Sequence, residues 1–148
     1  MSENERIIRQ LYEVAEKKDT AAFVALFTGE GYFYDVSAGK KYFGEDLGKT
    51  VDIYATAFPD MHRALEKLVE ARDTITVELS LNGTHTGLLV LPQGTLEPTY
   101  RRIHAPCCDV FVLQDRKIAS FHCYTAATIL LGQLGVFDDP FAALKTHA

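Results

Sequence analysis

Two stretches carry side chains able to do chemistry. The run "CCDVFVL" (107–113) holds one carboxylate, Asp109, among apolar neighbours, and "SFHCYTAATILLGQLG" (120–135) places His122, Cys123 and Tyr124 in consecutive positions. A carboxyl buried among apolar side chains has its pKa raised and is suited to proton abstraction, whereas a structural acid is bonded to backbone or arginine. Both readings of Asp109 stay open at this point. Nothing local depresses the pKa of Cys123, which favours a small core side chain over a nucleophile. His62, which follows the Phe58-Pro59-Asp60 helix stop, is a candidate base or hydrogen-bond donor, or a satisfied structural histidine. His85 in "NGTHTG" shares strand parity with Leu79 and Leu81, which places it near a pocket mouth. Tyr34, Tyr54 and Phe58 join His85 and Cys123 as candidate ligand contacts, although aromatic residues at helix or strand spacing also serve as plain core. The catalytic candidates are therefore Asp109 and His62.

Metal chemistry finds little support in these spacings. The five histidines lack the i, i+4 pattern of a metal helix, and the three cysteines, Cys107, Cys108 and Cys123, form no CxxC motif. An odd set of thiols without a framework reads as free cysteines in a reducing compartment. A net charge of -5 with scattered basic residues gives no footprint for nucleic acid or an anionic membrane. The opening "MSENERIIRQ" has no apolar leader, and "GLLVLP" (87–92) is too short to span a bilayer. The expectation is a cytoplasmic protein.

The elements that must hold these groups follow from hydrophobic period. Ile7, Ile8, Leu11, Val14 and Ala15 recur at helical spacing behind Ser2, with Glu5 in the capping-box position, and predict a helix over 3–17. Asp19 caps a short second helix that ends at "TGEG", "YFYDV" (32–36) is a strand, and "SAGKKYFG" is a turn-rich connection. Phe43, Leu47, Val51, Tyr54 and Phe58 mark a third helix over 43–57. Alternation then takes over. Ile75, Val77, Leu79 and Leu81 face one way, and "MHRALEKLVEA" (61–71), although acceptable as helix on propensity, is read as the partner strand across the "ARD" turn. "CCDVFVL" and "IASFHCY" flank "QDRK" as a second hairpin. Allowing one bulge residue, Asp109 lies opposite Cys123 on one face, while Ser120 and His122 point to the other. Helices segregated from about four antiparallel strands predict an α+β fold, a curved sheet wrapped on three to four helices. At 148 residues, roughly 70% of the unfolded surface can be buried in one domain.

The element order, with "FPDMH" (58–62), "NGTHTG" (82–87), "PTYRR" (98–102), "DVFVLQDRKI" (109–118) and "QLG" (133–135), resembles the SnoaL-like polyketide cyclases of the nuclear transport factor two-like superfamily. The resemblance covers nearly all of 1–148. It implies a cone-shaped α+β barrel with a deep apolar pocket for a small hydrophobic molecule, a homodimer through the sheet, and neither metal nor organic cofactor. It implies acid–base catalysis on a hydrophobic carbonyl compound, of cyclase, isomerase or lyase type. The family's usual acid falls at Cys123 and a second at Ala126, neither a carboxylate here, while the acid–base position on the preceding strand falls at Asp109. A ligand-binding protein that keeps the pocket without the chemistry is the alternative.

Overall fold

A computed structural model describes residues 1–138; residues 139–148 lie outside the described range. The first helix, α1 (Glu3–Glu16), starts where Ser2 accepts a hydrogen bond from the Glu5 amide at 2.9 Å. The reciprocal half of a capping box is absent, because the Glu5 carboxylate turns to Arg9 instead. Ile7, Ile8, Leu11, Tyr12 and Ala15 form its buried face. Asp19 caps α2 (Thr20–Ala25) through the Ala22 amide.

Four differences from the sequence expectation have simple causes. Strand β1 runs Phe27–Asp35, not 32–36, because the glycine stretch is absorbed as a register shift between Phe27 and Tyr32. At Gly31 an added Cβ would meet the Ile118 carbonyl at 2.7 Å, so this close strand approach requires glycine. The "turn-rich connection" contains an edge strand, β2 (Lys40–Phe43), whose only buried side chain is Tyr42. One inward residue leaves almost no periodic signal. The third helix therefore begins later than Phe43: Gly44 has φ +56°, a 3-10 turn covers Gly44–Gly48, and α3 covers Lys49–Ala57. A small hairpin, β5 (Leu89–Leu91) with β6 (Gly94–Leu96), lies where the sequence predicts no strand, because strands of three residues imprint no period.

The remaining elements match. β3 (His62–Ala71) is a strand despite its helix-forming residues, because it pairs with β4 (Thr74–Thr84) along its whole length, although as the edge strand it has no fully buried residue. β7 (Arg102–Gln114) and β8 (Lys117–Thr125) form the second hairpin, turned by Asp115 and Arg116 with φ of 50° and 64°. Two positive φ values match the right-handed strand twist. α4 (Ala127–Gln133) follows.

The main sheet has the order β2-β1-β8-β7-β4-β3. It is mixed, not wholly antiparallel, since β1 pairs parallel with β8. Its inner face carries Ile75, Phe111, Phe121 and Phe33 in one row across four strands, with Phe111 and Phe121 ring centroids 4.3 Å apart and Phe33 and Phe121 4.4 Å apart. Tyr12 of α1 meets Phe111 edge-on at 6.1 Å, which anchors the helical layer to the sheet. The architecture is α+β.

Candidate functional site

The row beside the aromatic one holds the chemistry. Register aligns Val77, Asp109, Cys123 and Asp35 across β4, β7, β8 and β1. The next row places Cys107 opposite Thr125. Period-two alternation turns all of these toward the helices. Asp109, Cys123 and Cys107 line a small cavity of about 50 Å³, closed by Leu11 and Tyr12 of α1 and Val51 and Tyr54 of α3, while Asp35 and Thr125 line the hollows beside it. A wider hollow of about 230 Å³ adjoins it, sharing Phe33, Thr50, Tyr54 and Cys123 and adding Asp35 and Tyr42.

Asp109 is 3% exposed. The Tyr12 hydroxyl donates to Oδ2 at 2.7 Å, and the Cys107 thiol donates to Oδ1 at 3.4 Å. Burial raises the carboxyl above its ordinary range, while the hydrogen bonds from Tyr12 and the neighbouring thiols, and the positive charge of Arg63, pull part of the way back. Burial in the company of that carboxyl also pushes the Tyr12 hydroxyl well up, so it remains a donor. The Cys123 thiol is raised well above its usual value, by its contact with Cys107 first and burial second. Asp35 is likewise raised by burial, opposed by the amides of Ala38 and Ser37.

Three of the residues singled out from sequence, Asp109, Cys123 and Tyr54, line this cavity together. Burial holds the Tyr54 hydroxyl far above its ordinary pKa. The others lie elsewhere. His62 and Asp109 do not converge: the His62 side chain is 65% exposed and donates from Nδ1 to Glu16 Oε1 at 2.8 Å. Parity explains this, since Arg63, paired with Leu81, takes the inward position at that end of β3. His85 is wholly buried against Phe58, with ring centroids 5.4 Å apart, and its Nδ1 accepts from the Thr99 amide at 3.1 Å. β4 ends at Thr84, so the strand parity that linked His85 to Leu81 no longer applies. Phe58 is 0% exposed and packs between Tyr54 and His85 without lining the Asp109 cavity. Tyr34 sits on the opposite sheet face, edge-on to His122.

Five groups lining the cavity or the hollows beside it have no site role in the sequence reading: Tyr12, Arg63, Cys107, Thr125 and Asp35. Cys107 shares parity with Asp109, and Asp35 with Phe33, so both were readable from alternation. Tyr12 lies one turn after Ile8 on the buried face of α1, and a buried tyrosine needs a partner for its hydroxyl.

The chain's relatives agree with this architecture. The family model described as SnoaL-like domain matches residues 8–121. Among solved structures, a putative polyketide cyclase from Streptomyces antibioticus is 20% identical, covers 90% of this chain and 99% of its own, and superposes with a TM-score of 0.75. A putative SnoaL-like polyketide cyclase from a Jannaschia species is 14% identical, with 89% and 91% covered and a TM-score of 0.77. A Catenulispora acidiphila protein with a ketosteroid isomerase-like fold, crystallised with trimethylamine, is 18% identical, with 87% and 92% covered and a TM-score of 0.73. No curated protein matches the chain. Identities this low carry the fold alone; the family assignment rests on the matched span from α1 to β8, which includes Asp109 and the strands that position it, and on that span the chain belongs to the SnoaL-like domain family.

Proposed function

We propose that the protein is a small-molecule enzyme of cyclase or isomerase type, using acid–base catalysis on a hydrophobic carbonyl compound, with Asp109 as its proton-handling group. One observation carries the reading: Asp109 is a buried carboxyl at the wall of a largely apolar cavity, held by Tyr12 and not neutralised by an arginine bridge. A raised pKa makes its carboxylate a stronger base near neutral pH. A substrate carbonyl seated in the cavity gives a proton from its α carbon to Asp109. The resulting enolate oxygen is stabilised by the Arg63 charge in the same wall, and Asp109 then returns the proton to the product. Tyr12 orients the carboxyl throughout. A ligand extending past Tyr54 and Cys123 reaches Asp35, a second carboxyl whose protonation burial also favours.

The test measures binding and turnover separately over a panel of aromatic and polyketide-like carbonyl compounds. Asp109→Asn, nearly isosteric, is expected to keep ligand affinity and lower turnover by roughly 10²-fold or more. Unchanged turnover removes Asp109 from the mechanism. A non-catalytic binder is favoured by one feature, the replacement of the family's usual acids by Cys123 and Ala126; tight binding by panel members without turnover is its signature.

The same reading includes a homodimer. Outward residues of the sheet form a partly apolar surface, in which Val69, Val112 and Tyr124 are 50%, 39% and 46% exposed. Among the described residues, helices cover only the inner face, so a second copy is the proposed cover. Light scattering at micromolar concentration is expected to give about twice 16.5 kDa, and the monomer mass refutes the dimer.

A further inference from the structure

The thiols of the cavity have no part in the proton transfer described above, yet their arrangement is specific. Cys107 and Cys123 lie diagonally across the β7–β8 ladder, with Sγ atoms 3.7 Å apart. A disulfide needs about 2.05 Å between sulfurs. Two thiolates bound at about 2.3 Å to one tetrahedral ion stand about 3.8 Å apart, and a thiolate and a carboxylate oxygen about 3.6 Å. The 3.7 Å between the sulfurs and the 3.4 Å from Cys107 Sγ to Asp109 Oδ1 lie close to those edges. The ligand atoms of Cys107, Asp109 and Cys123 all fall within 4.8 Å of one another, and all three residues are buried.

We propose that Cys107, Asp109 and Cys123 form a binding site for one thiophilic divalent cation of the zinc class, with Thr125 at the fourth corner. Thr125 Oγ1 is 3.3 Å from Cys123 Sγ and 3.6 Å from Cys107 Sγ, so the hydroxyl completes the tetrahedron or marks the side from which a water or ligand atom enters. The outer contacts fit. Tyr12 occupies Asp109 Oδ2 and leaves Oδ1 for the ion, as second-shell donors do around ligating carboxylates. Two thiolates and a carboxylate outweigh a divalent ion by one negative charge, which Arg63 in the same wall offsets. Binding replaces two S–H protons by two metal–sulfur bonds; both protons leave to solvent and no electron moves. A coordinated Asp109 cannot accept a substrate proton. The cation and the acid–base reaction therefore exclude each other, and the metal-loaded protein is the inactive form. This last consequence rests on the function proposed above, whereas the site itself does not.

The experiment titrates cobalt(II), then zinc(II), into the full-length protein, freed of metal and kept reduced by a phosphine. One equivalent of cobalt is expected to produce thiolate-to-metal charge-transfer absorption with the intense visible bands of a tetrahedral centre, and zinc to abolish both. Cys107→Ser and Cys123→Ser should each remove half or more of the charge-transfer intensity, and Asp109→Asn should weaken affinity at least about tenfold. Cys108→Ser, altered on the opposite face of β7, should bind as wild type does. Circular dichroism and thermal melting confirm that each variant is folded, and Cys107→Ala replaces any that is not. Folded wild type lacking thiolate-to-cobalt bands at one equivalent overturns the site. So do equal bands in wild type and both folded cysteine variants. Because these readouts need no substrate, they remain decisive even when no panel compound turns over.

Discussion

The inner and outer faces of β7 and β8 are built from the same two strands, read at alternate residues. Inside, Cys107, Asp109 and Phe111 face Thr125, Cys123 and Phe121; outside, Cys108, Val110 and Val112 face Tyr124, His122 and Ser120. The inner groups are closed off by helices and satisfy one another, with Asp109 held by Tyr12 and the two thiols in contact. The outer histidine finds its partner within the sheet, the Tyr32 hydroxyl at 2.9 Å, beside Tyr34 and under none of the described helices. The difference lies in dielectric and cover. A carboxyl on the outer face would be an ordinary surface acid, while the same group inside has its pKa moved by burial, which is the property a proton-transfer site requires.

The strongest way to test this asymmetry is to delete packing on each face at adjacent positions. Phe111→Ala empties the aromatic row beneath Asp109 and is expected to lower unfolding free energy by about 3–5 kcal/mol in urea titration. Val112→Ala, one residue on and 39% exposed, is expected to change it by about 0.5 kcal/mol in the isolated protomer. Equal effects would erase the distinction between the faces.

A smaller effect sharpens the polar part of the contrast. Tyr12→Phe removes the donor to Asp109 Oδ2 without removing the ring, leaving a buried acceptor with one contact fewer. The expected loss is about 1–3 kcal/mol by chemical denaturation. A loss much below this would mean that water replaces the hydroxyl and that the cavity is wetter than its lining suggests.

The smallest expected effect lies at the margin of the inner side, at His85. Burial lowers its pKa below 6.5, so the unfolded chain binds a proton that the folded chain refuses. The stability penalty is therefore absent above the unfolded pKa, grows as pH falls below about 6.5, and is complete once pH passes the folded value. His85→Leu should lower stability at pH 7 by removing the acceptor for Thr99, yet give a shallower fall in melting temperature between pH 7 and pH 5. Parallel curves for the two proteins would show that His85 titrates alike folded and unfolded.

Legibility tracked distance along the chain. The β7–β8 register, bulge included, and the shared face of Asp109 and Cys123 were readable because alternation and a short turn are local signals. The strand at 62–71 was readable for the same reason, through its hairpin partner. β2 and the β5–β6 hairpin were not, because short edge elements bury too few side chains to imprint a period. His62 was misplaced by one step of parity. That single residue separates the surface from the cavity wall.

By itself the sequence determined the α+β order of elements, the inner and outer sides of the long strands, and the pairing of Asp109 with Cys123. These depend on steric and hydrophobic patterns a few residues long. Only the tertiary structure decided that Tyr12, 97 residues away, holds Asp109, that Arg63 and not His62 enters the cavity, and that the Cys107 and Cys123 sulfurs meet at 3.7 Å. Such contacts join helix to sheet, or diagonal neighbours at side-chain reach. Their existence depends on how the layers pack and which rotamers that packing leaves open, and no local period encodes either.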